Sequence, residues 1–288
     1  MLDRPAQAAL ALVLLIALGA RGAGADEERA IRLADGLEMA YVERGAGEPA
    51  LVFIHCGNCR KEVWSETLDA FAATHRVVAM DLPGHGHSGA GRARFTIPDL
   101  GADVAALVEG LGLGRIVLVG NSLGGPVALE AARRLGAGRV LGVVAVDTLQ
   151  NVEAVWPEES WRRRLEGYRQ DFRASCAQLM SALLPQDASA ATRERLARET
   201  CHNDPATAIA LFETLHAYDV AAALGAAGVP VRAINSTGFP TDLAANRKYE
   251  PTFDAILMEG VGHYPQFERP EEFQRHLRRL VDALSTVP

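Results

Sequence analysis

The chain has 288 residues, of which 49% are hydrophobic and 23% charged, a composition that excludes a disordered or fibrous protein and fits an ordinary globular one. Single cores stop growing at roughly 250–300 residues, so the length suits one large domain or one domain carrying an insertion. A net charge of −7 with no basic stripe argues against nucleic acid or an anionic membrane surface as partner and favours a small-molecule substrate.

Arg4 precedes an apolar run from Ala8 to Ala20, and Ala23-Gly24-Ala25 offers the small residues a signal peptidase reads. Residues 1–25 therefore read as a signal peptide. The run is shorter than the ~20 residues a membrane span needs. The chain is thus expected to be exported, periplasmic or secreted, with no stable membrane insertion after cleavage. Ile31 to Ala34 and Leu37 to Val42 then read as two strands around Asp35-Gly36, a dipeptide that favours a tight turn.

From Ala50 onward apolar strands alternate with amphipathic helices. Strands are expected at Leu51–His55, Arg76–Asp81, Ile116–Gly120 and Val140–Asp147, with helical stretches at Val63–His75, Pro98–Leu111 and Leu123–Leu135. Strands apolar on both faces and separated by helices imply an α/β fold whose mostly parallel central sheet is covered by helices on both faces. Between Thr148 and Gly228 the pattern is helical only, with aromatics at Trp156, Trp161, Phe172, Phe212 and Tyr218. This reads as a helical cap insertion, residues 148–228, in a core made of 26–147 and 229–288. Trp156, Trp161, Phe172 and Phe212 are either pocket lining or cap core, and helical spacing alone favours core. Strands resume at Val229–Asn235 and Phe253–Glu259, and a last helix spans Pro270 to Leu284.

Gly120-Asn121-Ser122-Leu123-Gly124 follows an apolar strand directly and precedes a helix directly. A sharp turn there must hold Ser122 in strained dihedrals, and the flanking glycines remove side chains that would collide with neighbouring backbone. The hydroxyl is then presented at a helix N-terminus, where N–H groups and the dipole favour a developing oxyanion. Ser122 is the expected nucleophile. His263 lies on a glycine-flanked loop beyond the strand Ala255–Met258, where an imidazole can accept the serine proton as general base.

With these residues in place, the chain from Ile31 to Leu284 resembles the capped α/β-hydrolase family. Leu51 to His55 with the glycine-bearing loop after it resembles the family's oxyanion strand and loop, and Asp81 to Ser88 resembles the turn after its fourth strand. Gly120 to Gly124 resembles its nucleophile elbow, and Gly260-Val261-Gly262-His263 its histidine loop. The resemblance implies a Ser-His-Asp triad, and the acid has two candidates. The family's usual position follows the strand Val229–Asn235, where this chain reads Ser236-Thr237-Gly238-Phe239-Pro240 and reaches a carboxylate only at Asp242. Some members keep the acid at the end of the preceding strand, here Asp147, and that assignment is preferred, with Asp242 as the alternative. The oxyanion hole is expected from the backbone N–H groups of Leu123 and Gly57. Cys56 stands where the family's pattern has a glycine, and its side chain is expected to narrow the pocket.

Four cysteines in an exported chain permit two disulfides, and spacing suggests Cys176 with Cys201. Cys56-Gly57-Asn58-Cys59 between a strand and a helix imitates a thioredoxin-like redox motif. A disulfide oxidoreductase would leave Gly120–Gly124, His263 and the insertion unexplained, so a structural or redox-sensitive bridge inside a hydrolase is the better reading. Zinc at Cys56 and Cys59 lacks a second ligand pair, and neither a cofactor nor a metal is required. The sequence thus predicts a carboxylesterase-like serine hydrolase of a small, fairly hydrophobic substrate. The rival readings are a receptor-like binding protein of the same fold and a C–C bond hydrolase or acyltransferase.

Overall fold

A computed structural model describes residues 28–92 and 94–286 of the chain. The expected signal peptide, residues 1–25, lies outside them. An antiparallel hairpin opens the fold, β1 (Arg29–Arg32) with β2 (Glu38–Arg44), in which Arg32 pairs with Glu38. Then follow β3 (Ala50–Ile54), α1 (Ser65–Phe71), β4 (Val77–Met80), α2 (Ile97–Gly110), β5 (Ile116–Asn121), α3 (Gly124–Leu135) and β6 (Val140–Val146). A 3-10 turn, Lys61–Trp64, leads into α1, so the helical stretch expected from Val63 starts as a tighter turn and ends earlier.

Five helices separate β6 from the next strand: α4 (Glu158–Gln170), α5 (Phe172–Ala182), α6 (Ala190–Glu199), α7 (Pro205–His216) and α8 (Val220–Ala226). The chain closes with β7 (Val231–Ser236), α9 (Leu243–Arg247), β8 (Asp254–Met258), α10 (Pro265–Glu268) and α11 (Pro270–Ser285). Side-chain caps mark where helices begin. Asp171, Ser189, Asp204 and Asp219 each accept an N–H from the first turn of α5, α6, α7 and α8.

The eight strands form one sheet in the order β1-β2-β4-β3-β5-β6-β7-β8. Pairings from β4 through β8 are parallel, and the pairings of β2 are antiparallel. Alternate residues feed two cores, as a period of two requires. Val52, Ile54, Leu118 and Val143 pack with α2 and α3 on one face, while Leu51, Phe53, Val117 and Val144 pack with α1 and α11 on the other. Helix α11 contributes Phe273, Leu277, Leu280, Val281 and Leu284, one stripe at helical spacing. Each such side chain fully buried contributes roughly 1.5–3 kcal/mol. Within the stretch expected as an insertion, α8 packs beside α3 in the sheet-flanking layer through Ala223 and Leu224.

Parallel strands put their C-terminal ends on one side, and the loops that leave them there are tightly pinned. A Cβ on Gly120 would collide with the backbone of Gly124, and one on Gly124 with the carbonyl oxygens of Ile54 and His55. Asp81, after β4, accepts hydrogen bonds from the Lys61 N–H (2.7 Å), Lys61 Nζ (2.8 Å) and the His87 N–H (2.9 Å). His55 Nε2 accepts from the Leu82 N–H at 2.9 Å, which leaves Nδ1–H to donate to the Cys56 carbonyl at 2.7 Å. Both bonds are satisfied by a neutral imidazole. His55 and His85 therefore act as loop pins, with their rings 5.0 Å apart.

Because the atoms nearest a Cβ on Gly124 are backbone, Gly124→Ala is expected to lower stability by about 1–3 kcal/mol through overpacking, read as a shift in the urea midpoint. A second outcome concerns pH. Burial, reinforced by the neighbouring His55, holds His85 at about 3, and burial also lowers His55. Unfolded histidines titrate near 6.5. Between roughly pH 3 and 6.5 the unfolded chain binds more protons at His85, so stability falls as pH drops through that window, by up to about 1.4 kcal/mol per pH unit from His85, with His55 acting in the same direction. Urea unfolding at pH 7 and pH 5 measures this slope, and His85→Gln is expected to flatten it.

Candidate active site

The loops at the C-terminal ends of β3, β5, β6 and β8 meet at one cavity of about 750 Å³, covered by helices from between β6 and β7. Ser122 leaves β5 with φ of +54°, a left-handed conformation that costs a non-glycine residue of order 1 kcal/mol or more. Asp147 leaves β6 with φ of +44°. Among the described residues, the non-glycine positions with positive φ are Asn58, Ser122, Asp147, Leu149 and Cys201, and the first four line this cavity. Strain is concentrated where side chains must be aimed.

Asp147 is fully buried, and both of its carboxylate oxygens are engaged. Oδ2 lies 2.6 Å from His263 Nδ1, and Oδ1 accepts the Ser236 N–H at 2.8 Å. Burial alone would raise its pKa, but the hydrogen bond and charge of His263 and the Ser236 N–H outweigh it and hold the carboxyl below its ordinary value. With Nδ1–H donated to Asp147, His263 Nε2 is the ring atom that can accept a proton.

The His263 loop is held from several directions. Glu268 accepts the N–H groups of Gly262 (2.7 Å) and Tyr264 (2.8 Å), and the His263 N–H reaches the Leu183 carbonyl at 3.0 Å. Asn121 Nδ2 donates to the Val146 carbonyl (2.8 Å) and to the His263 carbonyl (3.2 Å), tying the serine turn to the histidine loop. Gln266 in turn donates to Asn121 Oδ1.

Every other site residue expected from the sequence has a definite place. Gly57 and Leu123 line the cavity beside Ser122, and a Cβ on Gly57 would lie 3.8 Å from the Leu123 side chain. Among the described residues, neither of their N–H groups has a backbone acceptor. Asp242 lies apart from the imidazole's hydrogen bonds: its Oδ1 caps α9 through the Ala245 N–H at 2.9 Å, and its own N–H reaches the Gln150 carbonyl. Cysteines pair as 56 with 59 and 176 with 201, with Cα atoms 5.3 and 5.8 Å apart. The Cys56–Cys59 pair brackets Gly57 directly at the cavity.

Trp156, Trp161 and Phe212 line the cavity, and Phe212 also packs against the buried cluster that holds Tyr168 and Phe172. Phe172 is buried among Tyr168, Cys176 and Met180, as core. Ser236, Glu268, Asn121 and Gln266 carried no signal, since each acts through a backbone N–H or a contact distant in sequence. Glu28, Asp81 and His87 bring potential metal-binding atoms together, and the Lys61 ammonium lies in the same cluster, 2.6 and 2.8 Å from the two carboxylates. Among the described residues no helix is long and apolar enough to cross a membrane.

Residues 49–235 match the family model described as the alpha/beta hydrolase fold. The chain is 29% identical over 256 residues to a pimeloyl-[acyl-carrier protein] methyl ester esterase of Sodalis glossinidius, covering 82% of this chain and 95% of that protein. It is 35% identical over 121 residues to the dihydrolipoyllysine-residue acetyltransferase component of the acetoin cleaving system of Cupriavidus necator, covering 42% of this chain and spanning 32% of that protein's length. Among solved structures it is similar to a thermophilic esterase from Thermogutta terrifontis, with a TM-score of 0.77 at 22% identity over 90% of this chain and 100% of that one. The last is a likeness of fold. With the family model matching more than half of its length, the chain belongs to the alpha/beta hydrolase fold family.

Proposed function

We propose that the chain is a serine hydrolase that cleaves ester-type bonds of a small, largely apolar substrate through Ser122, His263 and Asp147. The 2.6 Å contact between His263 Nδ1 and Asp147 Oδ2, in the same cavity as a strained Ser122, carries this reading. In the proposed mechanism His263 Nε2 takes the Ser122 hydroxyl proton as Oγ attacks the acyl carbonyl. Asp147 fixes the tautomer and stabilises the imidazolium that forms. The N–H groups of Gly57 and Leu123 receive the oxyanion. Collapse of the tetrahedral species expels the alcohol with the histidine proton, and water activated by the same histidine hydrolyses the acyl-enzyme.

The esterase name of the Sodalis relative, which the chain matches along most of its length, supports ester hydrolysis. Aromatic and aliphatic walls support an apolar acyl or alcohol group. Two cysteine pairs suit an oxidising compartment and support export, periplasmic or secreted.

Hydrolysis of a short-chain nitrophenyl ester by the purified protein tests the reading, with loss of activity expected in Ser122→Ala. Asp147→Asn is expected to lower kcat by roughly 10³–10⁴, the loss that follows when a triad aspartate becomes its amide. Asp242→Asn keeps a helix cap and is expected to leave kcat nearly unchanged. The opposite ranking of the two variants would move the acid to Asp242.

A further inference from the structure

Helix α4 carries four arginines in unequal surroundings. Arg162 and Arg163 pair with Glu158 and Glu159, one turn earlier, at 2.7 and 2.9 Å, and Arg169 reaches Glu213 on α7 at 2.6 Å. Arg164 has Ser160 at the position one turn earlier, and among the described residues it has no carboxylate partner. Its face of the helix also differs. Trp161, Arg164 and Tyr168 recur at helical spacing and line the cavity together.

The Arg164 guanidinium lies over the Trp156 ring, 5.1 Å from its centroid, a contact that engages the face of the cation. Among the described residues, no acceptor takes its N–H donors. Burial pushes this guanidinium down from its ordinary range, since no anion offsets the lost hydration. The carboxylates that line the cavity are both committed: Asp147 to His263 and Ser236, Asp219 to the Ala222 N–H as the cap of α8. His216 pairs with Glu158 at 3.0 Å. One half-buried cation is therefore left without an anion beside the rings of Trp156, Trp161 and Tyr168, and a charge drawn partly out of water without a partner is costly.

We propose that Arg164 is a specificity-determining residue that pairs with a single carboxylate carried by the substrate away from its ester. The inference rests on the esterase reading of the same cavity. A planar fork of donors matches a carboxylate in geometry, and one unpaired positive charge matches one negative charge. A phosphate monoester dianion would leave a charge unpaired in the wall. The favoured substrates are half-esters of short dicarboxylic acids, apolar along the chain and anionic at the far end.

The test compares kcat/KM for monomethyl half-esters from succinate to adipate with that for their matched terminal amides, which are neutral and nearly isosteric. The wild-type protein is expected to favour the acid over the amide by roughly tenfold or more at one chain length, the scale of a charge-assisted hydrogen bond. Arg164→Met is expected to bring that ratio to about one, and Arg164→Lys to keep part of it, with circular dichroism confirming that both fold. A wild-type ratio at or below one at every length, or a ratio unchanged in Arg164→Met, overturns the proposal. If the wild-type protein hydrolyses neither series, the esterase reading fails, and calorimetric binding to Ser122→Ala protein judges Arg164 separately. Tighter binding of monomethyl glutarate than of its amide, lost in the Ser122→Ala, Arg164→Met double variant, supports the carboxylate subsite. Equal binding of acid and amide, or binding of neither, overturns it.

Discussion

The hydrogen bond between Asp147 and His263 is the constraint around which the C-terminal side of the sheet is arranged. Its two ends come from different strands, β6 and β8, and a bond of 2.6 Å requires both loops to be fixed within a few tenths of an ångström. Asp147 is fixed by its position in the sheet: its N–H reaches the Ile234 carbonyl and its carboxylate takes the Ser236 N–H, both from β7. His263 is fixed by Glu268, which closes the loop on itself, and by Asn121, which joins it to the serine turn. A carboxylate buried this completely would be costly without such partners, so packing and chemistry make the same demand on it.

The cover over the site is fastened through the loop after β3. Asn58 donates to the Tyr168 hydroxyl on α4, accepts from Asn203, and takes the Cys201 N–H on its carbonyl at 2.8 Å. Cys59 bridges to Thr200 beside that contact. Both cysteine pairs therefore belong to one seam: Cys56–Cys59 closes the loop that carries Gly57, and Cys176–Cys201 closes the cover segment that meets it. The loop that carries Gly57 beside the cavity is thereby coupled to the helices that shape it.

Much of this was legible in the sequence where a local pattern carries the information. The strand runs at Leu51, Val117 and Val143 show their burial through unbroken apolarity, and α11 through its stripe. Ser122 was visible because its turn needs glycines on both sides, a requirement written within five residues. Asp147 was visible only in part, since two carboxylates stood near strand ends; the structure sets Asp147 against His263 and Asp242 at the cap of α9. Contacts distant in sequence left no such trace. Glu268 and Ser236 hold the site through backbone N–H groups, Trp161 and Phe212 share a helical spacing with core residues, and Trp156 stands in the loop before α4, so only tertiary packing could turn them to the cavity. Arg164 did leave a trace, three consecutive arginines with glutamates one turn before only the first two.

Covalent trapping of the nucleophile tests the central claim most directly. The purified protein would be treated with an alkylphosphonate ester carrying a good leaving group, digested and sequenced by mass spectrometry. A reactive triad predicts one phosphonyl adduct, on Ser122, formed far faster than on any other serine and slowed strongly when Asp147 is replaced. A folded protein that stays unmodified, or that acquires its adduct at another residue, would contradict the assignment of Ser122, His263 and Asp147 as a working triad.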